Sequence, residues 1–171
     1  LGEESRQSVT LSVAPGAVIE WFPEVTIPYA GSRFVQTMAV TLAKGATALI
    51  WDSLASGRVA RGERWAFTSL HNEIDLTTAS GARLLERYHV RPEEDQGGCG
   101  LVSTYDYVAS YFVVSDAVDP DRWPAVRDTV AGILDSPMMV TPCFVTVLPA
   151  SLISQFPPNS TAISKTIEPG R

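Results

Sequence analysis

Apolar and polar residues alternate with period two through much of the N-terminal half of the chain. Residues 34–42 place Phe34, Met38, Val40 and Leu42 on one face and Val35, Thr37, Ala39 and Thr41 on the other. Residues 64–70 set Trp65 and Phe67 opposite Arg64, Ala66 and Thr68, and residues 73–78 set Ile74 and Leu76 opposite Glu73, Asp75 and Thr77. Such alternation, rich in β-branched and aromatic residues, predicts half-buried strands. Pro23 and Pro28 restrict the strand between them to an edge or a short piece. A β-branched and aromatic run over 101–114 predicts one or two further strands, and residues 143–148 another. The period changes once. Trp123, Val126, Val130, Ile133 and Leu134 form a helical stripe, opened by Asp119-Pro120-Asp121 and stopped at Asp135-Ser136-Pro137.

Three similar pentads punctuate the strands: Val13-Ala14-Pro15-Gly16-Ala17, Leu42-Ala43-Lys44-Gly45-Ala46 and Thr78-Ala79-Ser80-Gly81-Ala82. Each glycine ends one β-like run and opens the next, which predicts a tight turn with a left-handed glycine. Their intervals suit turns recurring through stacked strand pairs, but are too uneven for a strict short-period solenoid. Residues 93–100 read as a loop, and 157–171 as a flexible tail. No composition shift marks an internal boundary, so the expectation is one mainly β domain over 1–171, with one or two helices in its C-terminal part.

Composition narrows the function classes. With 171 residues, 45% hydrophobic and 19% charged, the chain has the means to bury a core. A net charge of −6 argues against nucleic acid and anionic membrane surfaces as partners, and suits cations or basic patches. There is no run of about 18 apolar residues and no basic stretch followed by an apolar signal core, so the expected location is the cytoplasm. The opening Leu1, in place of Met, reads as a processing point or fragment start. Cys99 and Cys143 read as ordinary thiols of a reducing compartment.

No Gly-x-Ser-x-Gly elbow or P-loop is present. The Gly97-Gly98-Cys99-Gly100 cluster reads as a plain turn. His71 and His89 are far apart in sequence, outside any metal-ligand spacing, and each reads as a surface or satisfied core histidine.

The densest chemistry lies in Trp51-Asp52-Ser53-Leu54-Ala55-Ser56-Gly57-Arg58-Val59-Ala60-Arg61-Gly62-Glu63. In one reading Gly57 and Gly62 close turns, Arg58 pairs with Glu63 or Asp52, and the charges fix a sheet corner. In the other the block lines a passage or contact face, where carboxylates hold a divalent ion loosely enough to release it. Glu86 is a third candidate acid, and whether it converges with Asp52 and Glu63 depends on the fold. Trp21 and Phe22 either face opposite sides of a strand, leaving one as an interface anchor, or both reach the core through a bend at Pro23.

Three blocks in order, Ile19-Glu20-Trp21-Phe22-Pro23-Glu24-Val25-Thr26-Ile27-Pro28-Tyr29-Ala30-Gly31-Ser32-Arg33-Phe34, then Gly57-Arg58-Val59-Ala60-Arg61-Gly62-Glu63, then Gly81-Ala82-Arg83-Leu84-Leu85-Glu86-Arg87, resemble the urease accessory protein UreD family, also called UreH. The match runs from about residue 9 to residue 90. The family usually carries a substantial portion ahead of the first block, so the resemblance implies an N-terminally truncated member. An exposed cut through stacked strands then predicts marginal solubility or self-association. The resemblance implies a β-helical fold of stacked strands and a non-catalytic maturation chaperone assisting nickel delivery to urease. It implies apo-urease and urease accessory proteins F and G as partners, no tightly bound cofactor, and nickel in transit. Asp52, Glu63 and Glu86 become candidate carboxylates of a nickel route, with Trp21, Gly57, Arg58 and Gly62 as interface or scaffold. Two alternatives remain from the residues alone: a small β-rich enzyme using Asp52 and Glu63 as an acid–base pair on a carbohydrate-like substrate, and a plain β-rich binding module.

Overall fold

A computed structural model describes residues 3–94, 106–115, 117–134 and 143–149. The chain is mainly β. Strands β1 (Glu4–Val13), β2 (Val18–Trp21), β3 (Arg33–Leu42), β4 (Thr47–Ala55), β5 (Ser69–Thr77), β6 (Arg83–Val90), β7 (Tyr107–Ser115) and β8 (Cys143–Pro149) form two four-stranded sheets. The first has the order β1-β3-β5-β6 and the second β2-β4-β7-β8. Both are mixed. β1/β3, β3/β5, β2/β4 and β7/β8 are parallel, whereas β5/β6 and β4/β7 are antiparallel. One helix, α1 (Trp123–Leu134), follows a 3-10 turn at Pro120–Arg122, where the Asp121 amide donates to the Asp119 carboxylate at 3.1 Å. Trp123 heads the helical stripe and is buried. Among the described residues no helix is long and apolar enough to cross a membrane.

Parallel neighbours need a long connection: for β1/β3, β2/β4 and β3/β5 it is a strand of the other sheet, and between β7 and β8 it includes α1. The chain leaves β1 through the Gly16 turn into β2, and leaves β3 through the Gly45 turn into β4. Gly16 and Gly45 both take φ near +70°, the left-handed conformation that glycine adopts without a Cβ penalty. The two turns stack. The Gly16 amide donates to the Lys44 carbonyl at 3.1 Å and the Thr47 amide to the Ala17 carbonyl at 2.9 Å. The third pentad turns the same way but closes a β5–β6 hairpin within one sheet, with the Ala82 amide held by Thr78 Oγ1 at 3.1 Å.

The predicted strand over 64–70 is corrected by the structure. Residues 64–68 are irregular and β5 begins at Ser69. Trp65 sits at φ +51°, and its amide donates to the Ser56 carbonyl at 2.6 Å. The apparent alternation of Trp65 and Phe67 arises because both pack into one small apolar cluster, with ring centroids 5.9 Å apart. β2 stops before Pro23, and Thr26 returns as an isolated bridge to Leu54. Trp21 packs against the core while Phe22 is exposed, so the two aromatics take opposite faces. The Gly97–Gly100 cluster, Cys99, the stop at residues 135–137 and the tail 157–171 lie outside the described residues. Cys143 opens β8.

Among the described residues the interior holds two apolar clusters. The larger includes Met38, Val40, Leu42, Ile50, Ile74, Leu76, Leu84, Phe112 and Val114. The smaller is Leu54, Phe67, Leu70 and Val90, with Phe34, Trp65 and Tyr88 against it.

Candidate functional site

A polar layer separates these clusters. Along β4 the inward residues run Ala48, Ile50, Asp52 and Leu54, so Asp52 holds a position that the strand period reserves for an apolar side chain. Gln36 does the same in β3 and Asn72 in β5, and the two are register partners. Asn72 in turn opposes Tyr88 of β6, and Asp52 opposes Ser110 of β7. Gln36, Asp52 and Asn72 are all buried, Asn72 to 1% exposure.

The hydrogen bonds converge on one oxygen. Asn72 Nδ2 donates to Asp52 Oδ2 at 2.9 Å, and the Tyr88 hydroxyl donates to the same oxygen at 3.0 Å. Asn72 Oδ1 is buried with no hydrogen-bond partner, which is uncommon for an interior acceptor. Burial pushes the Asp52 carboxyl above its ordinary value, against the two hydrogen bonds that favour its charged form. Glu86, two residues before Tyr88 on the same face of β6, is also raised, first by burial and then by the charge of Asp52. Tyr88 is pushed well above the usual phenol range, chiefly by burial. The layer therefore contains two acids that resist ionisation alone and that a cation would stabilise.

Glu63 belongs to a different structure. It accepts from Arg58 Nε at 2.7 Å, forms a second bond with Arg58 Nη2, and accepts from the Ala30 amide at 3.2 Å. These bonds, Arg58 first, hold its carboxyl below the ordinary value. The Arg58 guanidinium lies 4.0 Å from the centroid of the Tyr29 ring. Gly57 takes φ +138°, and a Cβ there would meet the Glu63 carbonyl oxygen at 2.5 Å and the Pro28 carbonyl oxygen at 3.4 Å. Gly62 ends the 3-10 turn Val59–Arg61 in the left-handed conformation. Residues 28–31 and 57–63 thus form a clasp, and the corner reading of this block describes Gly57, Arg58, Gly62 and Glu63.

Two of the motif blocks are therefore partners in space, and the third supplies Glu86 to the layer. The family model for the UreD urease accessory protein matches residues 1–156. The chain belongs to the UreD family. It is 36% identical over 132 residues to urease accessory protein UreD 2 of Streptomyces griseus, covering 74% of this chain and 45% of that protein. It is 38% identical over 109 residues to UreD of Deinococcus radiodurans, covering 64% and 39%. It is 36% identical over 107 residues to UreD of Haloarcula marismortui, covering 62% and 36%. The chain spans less than half the length of these curated relatives.

The three candidate acids are not one cluster. Asp52 and Glu86 share the layer, and Glu63 is engaged in the clasp. Among the described residues no group of three or more His, Cys, Asp or Glu is placed to hold a metal ion. The acid–base pair required by the carbohydrate-enzyme alternative, Asp52 with Glu63, has separate partners on each side. Gln36, Asn72, Tyr88 and Ser110 were not among the residues singled out by sequence. The available signal was parity: a polar residue in step with Met38, Ile50 or Ile74 along its strand must enter the core.

Proposed function

We propose that this UreD-family chain acts in urease maturation as a docking and hand-over protein for nickel, and that the polar layer is part of the ion's path. The observation that carries the reading is Asp52, a buried carboxylate beside an unpartnered Asn72 oxygen and a second raised acid, Glu86, in a chain of urease accessory type. Oxygen donors of this kind bind a borderline divalent ion weakly, as transfer requires, because an ion must leave as readily as it enters. Asp52 and Glu86 supply the charge that replaces part of the ion's hydration shell, with Asn72 Oδ1 as a neutral donor between strands. Glu63, Arg58, Gly57 and Gly62 act as the scaffold that fixes the corner next to β4. Trp21 anchors the core, and the exposed Phe22 side supplies contact area.

The partners in this reading are apo-urease and the urease accessory proteins F and G, in the cytoplasm. Nucleotide hydrolysis falls to another component, and no bond chemistry is assigned to this chain. The test is urease activation in a strain lacking its own UreD, supplied with this chain bearing Asp52→Ala, Glu86→Ala or both. The expected result is a loss of urease nickel content in each single variant and a larger loss in the double, with unchanged capture of apo-urease. Full nickel loading by the double variant overturns the reading.

A further inference from the structure

The two histidines, distant in sequence, are cross-strand partners in the fold. His71 of β5 and His89 of β6 face each other in register, with ring centroids 5.8 Å apart and an interplanar angle of 75°. His89 is exposed and His71 half-buried, on the outer face of the first sheet. They are away from the inward-facing layer of Asp52 and Glu86. Glu73, two residues along β5 on the same face, places Oε2 3.9 Å from His71 Nε2. That carboxylate also accepts from Arg87 Nε at 2.7 Å, so its charge is already balanced. The imidazoles are the unspent donors.

From this juxtaposition we infer that His71 and His89 chelate a divalent transition ion of the nickel, copper or zinc class on the outside of the sheet. With metal–nitrogen bonds of about 2 Å, each ring centre lies about 3 Å from a bound ion, so two rings on one ion span up to about 6 Å. The observed separation falls within that reach, and a tetrahedral angle asks the rings to approach by about one ångström. Imidazole nitrogen selects these borderline ions over magnesium or calcium, which prefer oxygen. Glu73 lies on the Nε2 side of His71 at 3.9 Å, a charge contact and not a hydrogen bond. Two protein ligands with water completing the shell make a weak and exchangeable site. This inference is independent of the interior route, and its readout is ion binding by the chain itself.

The chain contains two histidines, which makes the test direct. Untagged protein is titrated with substoichiometric Cu²⁺ or Ni²⁺ while the imidazole C–H proton resonances are followed. Both rings are expected to broaden together. Binding isotherms for the same ions are then compared among wild type, His71→Asn, His89→Asn and the double variant, with Asp75→Asn as a control for general attraction to the acidic face. Each single variant is expected to weaken one equivalent of binding at least tenfold, and the double no further, because a chelate is lost with either arm. The control is expected to bind like wild type. Broadening of one ring alone, additive losses in the double variant, or an unchanged isotherm in either single variant overturns the chelate.

Discussion

Replacing Asp52 by Asn is expected to make the protein more stable while impairing its proposed task. The wild-type carboxylate is an acceptor only, so when ionised it cannot serve the neighbouring Asn72 Oδ1, which is buried without a partner. A buried unsatisfied acceptor costs about 1–3 kcal/mol, and the variant brings an amide donor into the same layer while keeping an oxygen for Asn72 Nδ2 and Tyr88. It also removes a buried charge. The expected gain at pH 7 is about 1–3 kcal/mol, with each kcal/mol worth about 2–4 °C in melting temperature for a chain of this size. The pH dependence supplies an internal check. Asp52 is raised in the folded state above 3.8, so folding favours its protonated form. Its contribution is most favourable below the unfolded value and is lost as pH rises through the folded one. The stability difference between variant and wild type should therefore be widest at neutral pH and shrink toward pH 4. Glu86 is raised in the same sense and remains in the variant, so a reduced slope persists there. Thermal melts of both proteins across this pH range decide the matter. An unchanged or lower melting temperature at pH 7, or a difference that does not narrow in acid, refutes the account of the layer.

Two other outcomes follow from the clasp and the outer face. Gly57→Ala forces a Cβ against the Glu63 carbonyl at 2.5 Å in a backbone region disfavoured for alanine; a loss of about 2–4 kcal/mol is expected from strain and displacement together, and a melt within about 0.5 kcal/mol of wild type contradicts it. Phe22 is 53% exposed, its ring tilted against Tyr111 at 6.1 Å, so Phe22→Ser should leave the melt nearly unchanged yet weaken the proposed capture of apo-urease about tenfold, as loss of an aromatic anchor does; undiminished capture removes this face from the proposed docking surface.

Strand alternation made the sheets legible in Phe34–Leu42 and Ile74–Thr77, and the helical stripe located α1. The pentad glycines revealed the turns, including the stacked pair. What alternation could not convey was the pairing. Nothing in the pentads distinguishes Gly45, which passes the chain to the other sheet, from Gly81, which folds it back as a hairpin, because that choice is made by what the following strand packs against. Trp65 and Phe67 mimicked a strand because two aromatics can reach one cluster from an irregular segment held by Ser56 and Ser32. The site was half legible. Asp52, Glu63 and Glu86 were found as acids, but their grouping depended on register: linear proximity joined Asp52 to Glu63, whereas the sheets join it to Asn72, Tyr88 and Glu86. The histidine pair was invisible for the same reason.

The layer also divides the protein mechanically. Leu54, Phe67, Leu70 and Val90 form a small apolar cluster set apart from the larger one by the polar seam. Such a unit can breathe open at a fraction of the free energy of global unfolding. That motion would part the wall around Asp52 while the stacked turns at Gly16 and Gly45 stay closed. If such an opening occurs along the seam, access to the buried acids is set by local fluctuation and not by global unfolding.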